Sequence, residues 1–141
     1  MITLTISGEE KFFRTALERL HTVVHLYTNN RDPRVNSQID DFIEINGHAY
    51  SPVLLGPEDW SVRLTRRNRV MAEATVEWNF SQGPRQVVHG FFVTSQSDAD
   101  VVLWADRLEK PIELLNNGEH LAILMQLSPF RRRTEDAARR A

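Results

Sequence analysis

The sequence of 141 residues contains no cysteine. Disulfide staples, thiolate chemistry and zinc sites built on sulfur are therefore excluded, and stability must come from packing. A run of about 18 apolar residues, as a membrane-spanning helix requires, is also missing. The opening segment carries Glu9 and Glu10 where a secretory signal would need a basic flank and an apolar stretch, which predicts a protein that is cytosolic when made.

Lysine is scarce, because 15 of the 17 basic residues are arginine, and the formal net charge is −2. This charge does not favour a nucleic-acid binder, and we expect neither a specific nucleic acid nor a membrane as partner. Arginine forms planar bidentate pairs with carboxylates, so clustered arginines favour contact surfaces, although a solvated face is the alternative. The clusters are Arg63, Arg66, Arg67 and Arg69 in the middle, and Arg131, Arg132, Arg133, Arg139 and Arg140 at the end.

Alternation of apolar and polar residues predicts strands over most of the chain. The strongest pattern runs over eleven residues from Val70 to Phe80, where Val76 and Trp78 share the apolar face. Many short strands separated by turn residues, without a strand–helix–strand rhythm, predict a mainly β fold, an antiparallel β-sandwich or jelly roll. The other predicted strands are 21–27, 60–65, 87–94, 101–108, 112–114 and 121–127.

Two further elements are predicted at the ends of the chain. Ile2, Leu4 and Ile6 alternate with threonines, which predicts a half-buried strand. Ser7 as N-cap and apolar residues at helical spacing then predict one helix over residues 8–19. Core periodicity ends near Pro129, so we expect a single β-sandwich domain over residues 1–128 and an arginine-rich C-terminal arm over residues 129–141.

Few residues in the sequence are candidates for a metal site or a catalytic site. His21 and His25 would share one face of a strand or helix, but no third ligand accompanies them, so no metal site is expected. Glu73 with Glu77, or the acidic segment 40–44, could present paired carboxylates, yet spacing alone is weak support for glycoside chemistry. The common nucleotide-binding and hydrolase motifs do not occur. The sequence therefore predicts a protein that is not an enzyme, with no catalytic residue and no cofactor.

A resemblance to a known family covers residues 8–130 and is clearest in three segments. His89-Gly90-Phe91-Phe92-Val93-Thr94, Leu103-Trp104-Ala105-Asp106-Arg107-Leu108 and Asn117-Gly118-Glu119 occur in that order. With them, the chain resembles small structural proteins encoded in tailed-bacteriophage genomes. The arginines at 63–69 and the basic tail depart from that family's pattern. The resemblance implies a virion component, foremost a capsid decoration (cement) protein, with a tail, neck or adsorption component, possibly glycan-binding, as the alternative.

A decoration role implies a closed homo-oligomer, with a trimer expected, bound to the major capsid protein or another virion protein. We expect the N-terminal segment to add as a strand to a sheet edge and the arginines to pair with carboxylates. A glycan-binding protein would instead place Trp60 and Tyr50 together on a solvent-facing groove. The predicted contact residues are Ile2, Leu4, Arg66, Arg67, Arg131, Arg132, Arg133, Arg139 and Arg140.

Overall fold

One helix precedes all strands in the structure, a computed structural model that describes residues 2–115 and 118–129. Helix α1 spans Ile6–Glu18, and the side chain of Thr5 caps it by accepting a hydrogen bond of 3.0 Å from the backbone N–H of Gly8. The predicted helix is confirmed, but Ser7 lies inside it and is not the cap. The predicted strand over residues 2–6 is wrong, because the helix takes Ile6 and residues 2–5 pair with no described strand.

The first sheet has four antiparallel strands in the order β2-β1-β5-β6. Strand β1 is Thr22–Tyr27, β2 is Val53–Leu55, β5 is Gln86–Ser95 and β6 is Val102–Leu114. Valine and phenylalanine populate both faces of β5, and its residues 90–94 are all buried. The predicted strand at 87–94 is therefore an inner strand of its sheet, covered on both faces.

Strand β6 is one irregular strand, although the sequence predicted two separate strands there. Val88 pairs with Ile112 and Gly90 pairs with Arg107, so residues 108–111 bulge out opposite His89. Pro111 lies in this bulge and lacks the N–H that a regular ladder would need. Because β6 is at the edge of its sheet, the bulge also interrupts the row of backbone groups that another strand could pair with.

The second sheet has three strands in the order β3-β4-β7. Strand β3 is Ser61–Leu64, β4 is Val70–Asn79 and β7 is His120–Leu127. Burial alternates along β4 and β7 as their sequences predict, with one buried and one exposed face. Two antiparallel sheets and one N-terminal helix confirm the mainly β class expected of a β-sandwich.

Contacts within the chain group into two compact units. The first unit comprises the described residues up to 19 together with 57–75 and 124–129, and the second comprises 20–56 and the described residues of 76–123. Strands β4 and β7 each contribute residues to both units. The prediction of a single domain over residues 1–128 stays a prediction.

The core of the second unit contains Trp78, Phe91 and Val93, all of which are buried. Trp104 pairs with Val93 across β5 and β6 and therefore shares its face. Trp104 is only partly buried, however, because β6 is an edge strand. Strand pairing thus places Trp104 on the same face as Val93 without burying it fully.

Candidate functional site

The predicted contact residues that the structure describes all belong to the first unit. Ile2 is 96% exposed and Leu4 is 39% exposed, although these residues form no strand. Arg66 and Arg67 also belong to this unit and are exposed. The structure thus brings the predicted apolar and basic contact residues into one compact unit.

Arg66 and Arg67 form the tip of the hairpin between β3 and β4. The backbone N–H of Thr65 donates to the Arg69 carbonyl at 2.8 Å, and that of Asn68 donates to the Thr65 carbonyl at 3.0 Å. Asn68 adopts a positive φ of 56°, as the last position of a three-residue hairpin loop requires. Among the described residues, no carboxylate pairs with Arg66 or Arg67, so both guanidinium groups are available to a partner.

The same unit exposes large apolar side chains that the sequence did not single out for contact. Phe12 is 67% exposed on α1, although helical spacing predicted it as part of the apolar face. Leu124 is 56% exposed on β7, and Ile6 and Leu64 are also exposed. The alternation along β7 could have revealed Leu124, since it lies on the exposed face with His120, Ala122 and Gln126.

The five C-terminal arginines predicted as contacts, Arg131, Arg132, Arg133, Arg139 and Arg140, lie outside the described residues. Their contact role stays a prediction from the sequence.

A hydrogen-bonded network in the second unit links His25, Glu44, Tyr50 and Thr94. His25 Nδ1 lies 2.8 Å from Glu44 Oε2, and His25 Nε2 lies 2.9 Å from Thr94 Oγ1. The Tyr50 hydroxyl donates to the same Glu44 oxygen at 2.5 Å and accepts from the backbone N–H of Leu26 at 3.0 Å. A neutral imidazole satisfies both of its bonds if Nδ1–H donates to Glu44 and Nε2 accepts from Thr94. Every member of the network then has a partner.

This network has the order of a hydroxyl–imidazole–carboxylate triad, which activates nucleophiles in hydrolases. Thr94 is only 1% exposed, so its hydroxyl is closed to a substrate. The imidazole of His25 also stacks on Phe92, with ring centroids 4.6 Å apart and planes 8° from parallel. The arrangement is therefore that of a satisfied polar network within the fold, which anchors the segment around Glu44 to β1 and β5.

The electrostatics of Glu44 agree with this reading. Burial opposes ionisation of its carboxyl group, but the hydrogen bonds from His25 and Tyr50 outweigh burial and hold the pKa of Glu44 below its usual value. Burial and the bond to Glu44 together raise the pKa of Tyr50. Sequence spacing could not reveal this network, because Glu44 and Thr94 are 19 and 69 residues from His25.

The other carboxylates considered from the sequence have internal partners or are simply exposed. Glu73 accepts from Arg63 at 2.6 Å and from Gln126 at 3.3 Å. Hydrogen bonding to Arg63, only partly opposed by burial, lowers the pKa of Glu73. Glu77 is exposed on the same strand. His21 is exposed, and within residues 2–115 and 118–129 no group of three histidine or acidic side chains is placed to hold a metal ion.

Tyr50 and Trp60, which would line a sugar-binding groove, belong to different compact units. The Tyr50 hydroxyl is engaged inside the second unit by Glu44 and Leu26. Trp60 is partly buried, and its indole nitrogen is shielded from solvent. Each of the two aromatic side chains is thus partly buried within its own unit, which does not favour a role in sugar stacking.

None of the helices in the described part of the chain has the length and hydrophobicity needed to cross a membrane. Comparison with the models of known protein families, with curated proteins and with solved structures found no match.

Proposed function

We propose that this chain is a non-enzymatic structural protein of a tailed-phage particle, a capsid decoration protein that acts through self-association and contacts with capsid subunits. The protein is made in the host cytoplasm and is then located in the virion. The segments that carry the resemblance to phage structural proteins support this proposal. His89–Thr94 lies within β5 and Leu103–Leu108 within β6, so the two most distinctive segments are paired neighbours in the first sheet.

The observation that carries the proposal is the exposed surface of the first unit. We define the contact surface as the exposed apolar residues Ile2, Leu4, Phe12 and Leu124 of this unit together with Arg66 and Arg67. Several large apolar side chains exposed within one compact unit favour a binding partner for that unit. Aromatic residues and arginine are also the types enriched at the centres of protein interfaces. The composition of the contact surface is that of an association surface.

The proposal that the chain is not an enzyme rests on the chemistry of the described side chains. The triad-like network ends in the buried hydroxyl of Thr94, and Glu73 is held by Arg63 and Gln126. Neither arrangement offers a nucleophile or a free acid–base pair to a substrate.

Self-association through the contact surface can be tested by sedimentation equilibrium on the full chain. We expect the parent chain to sediment as an oligomer, namely a trimer. The double variant Phe12→Ser/Leu124→Ser should sediment as a monomer. Both side chains are more than half exposed, so the double variant should keep its folded circular dichroism spectrum. Val35→Ser provides a matched control, because Val35 is 84% exposed but belongs to the second unit. A parent chain that sediments as a monomer at high micromolar concentration would contradict self-association.

A further inference from the structure

A polar cleft of about 410 Å³ opens in the second unit and is lined by Asn30, Arg31, Asp32 and Arg34. These residues belong to the connection that follows β1. A cleft of this volume has the size of a small-ligand site. It lies outside the contact surface and takes no part in the proposed self-association.

Several hydrogen bonds fix the backbone around the cleft. Asn29 donates to the Asp41 carbonyl and accepts from the backbone N–H of Ile43, both at 2.8 Å. The Tyr27 hydroxyl donates to the Arg31 carbonyl at 2.9 Å. At the far side, the backbone N–H of Arg34 donates to Ser37 Oγ at 2.8 Å. The backbone of the lining segment is thus fixed before any ligand arrives, which reduces the entropy lost on binding.

Arg107 from β6 orients the polar groups of the cleft. Its Nη1 lies 3.2 Å from Asp32 Oδ1, and its Nη2 donates to Asn30 Oδ1 at 2.5 Å. Because Asn30 Oδ1 accepts this bond, the amide NH₂ of Asn30 remains a donor. Asp32 likewise keeps its second carboxylate oxygen as an acceptor, and its side chain is 79% exposed.

Arg31 and Arg34 are the two cationic residues that line the cleft. Arg31 makes one contact of 3.1 Å from Nη2 to Asp41 Oδ1, which leaves other N–H groups of its guanidinium uncommitted. In the described parts of the chain, no carboxylate pairs with Arg34. The four lining residues carry two guanidinium groups, on Arg31 and Arg34, and one carboxylate, on Asp32, which leaves an excess of one positive charge.

We infer that this cleft binds a hydroxylated monocarboxylate of the sugar-acid type. The carboxylate of the ligand lies against the guanidinium groups of Arg34 and Arg31. The planar N–H donors of a guanidinium match the two oxygens of a carboxylate. A hydroxyl group of the ligand donates to Asp32 and another accepts from the Asn30 amide. One excess positive charge matches a monoanion better than a doubly charged phosphate, since the second charge would face Asp32 and Asp41 without compensation.

The test is a titration of the ¹⁵N-labelled full chain, followed through backbone and arginine Nε–H resonances, with glucuronate, glucose and inorganic phosphate as probes. Glucuronate should give saturable shifts confined to residues 29–34 and Arg107. Glucose, which lacks the carboxylate, and phosphate should each bind at least about tenfold more weakly. The variant Arg34→Gln should weaken glucuronate binding at least about fivefold, whereas Arg66→Gln, at the hairpin tip of the first unit, should leave it unchanged.

Three results would overturn the inference: shifts that do not saturate, equal glucuronate affinity in Arg34→Gln, or phosphate binding as tight as glucuronate. Sedimentation of the parent chain is measured separately, so a failure of the cleft is distinguishable from a failure of self-association.

Discussion

The ring of Tyr27 lies against Gly90, its antiparallel partner in the first sheet. A Cβ atom at position 90 would lie 2.5 Å from Tyr27 Cζ and would also overlap the carbonyl oxygen of Asp106. Burial, which outweighs the opposing effect of Arg107, raises the pKa of Tyr27 to about 12. Its hydroxyl therefore remains protonated and donates to the Arg31 carbonyl. The absence of a side chain at Gly90 therefore lets the ring of Tyr27 lie against the backbone of β5.

Gly90→Ala should destabilise the fold by about 3 kcal/mol, because one of the overlapping atoms is backbone and neither neighbour can move freely. Urea denaturation followed by tryptophan fluorescence gives this free energy. Thr75→Ala, at an exposed position of β4, is the control and should change it by less than about 0.5 kcal/mol. A loss below about 1 kcal/mol for Gly90→Ala would show that Tyr27 does not pack on this glycine.

The two strand tryptophans should differ in their contributions to stability. Trp78 is buried and its indole N–H donates to the Ser51 carbonyl at 3.1 Å, so Trp78→Ala should cost about 4 kcal/mol. Trp104 is partly buried on the edge strand, so Trp104→Ala should cost about 2 kcal/mol. The same denaturation experiment ranks the two, and a larger loss for Trp104 would contradict the burial described for β6.

Removal of the Glu44 charge should change how stability depends on pH. Since the pKa of Glu44 in the folded chain is held below its usual value of 4.5, the ionised group stabilises the fold above that pH. This contribution is lost as the pH falls through the folded-state pKa. Glu44→Gln should therefore lower the urea midpoint at pH 7, and the difference from the parent should shrink below pH 4.5.

Urea midpoints measured from pH 3 to pH 7 check this expectation. Glu77→Gln, which removes an exposed carboxylate from β4, should leave the midpoint near that of the parent throughout. A difference for Glu44→Gln that stays constant across this range would mean that the charge of Glu44 does not stabilise the network.

Secondary structure was predicted most accurately from the sequence where the periodicity of apolar residues alone determines it. The alternation from Val70 to Phe80 defines β4 nearly residue for residue, because each apolar side chain can be buried only on one face. At the N-terminus, five alternating residues were too few to identify a strand, and Thr5 instead satisfied a backbone N–H of the helix. The bonds from His25 to Glu44 and Thr94 could not be predicted, since they depend on tertiary pairing.

The C-terminal arm supplies a further prediction about attachment. Residues 131–141 contain five arginines and two acids, which give a local charge of about +3. Deletion of this segment should leave the unfolding free energy nearly unchanged but reduce binding to particles that lack the protein. Binding of the full chain should also weaken as salt rises, because exposed charges are screened over roughly 8 to 10 Å at moderate ionic strength. Cosedimentation with such particles at low and high salt measures both effects. Equal binding by the full chain and the truncated chain would show that the arm does not contact the particle.

Quantitative mass spectrometry of purified particles, produced from the genome that encodes this chain, tests the proposed role most directly. A capsid decoration protein should be present at a copy number comparable to that of the major capsid protein. A few copies per particle would place the chain in the tail or neck instead. Absence from purified particles would contradict the proposal that this chain is a structural component of the virion.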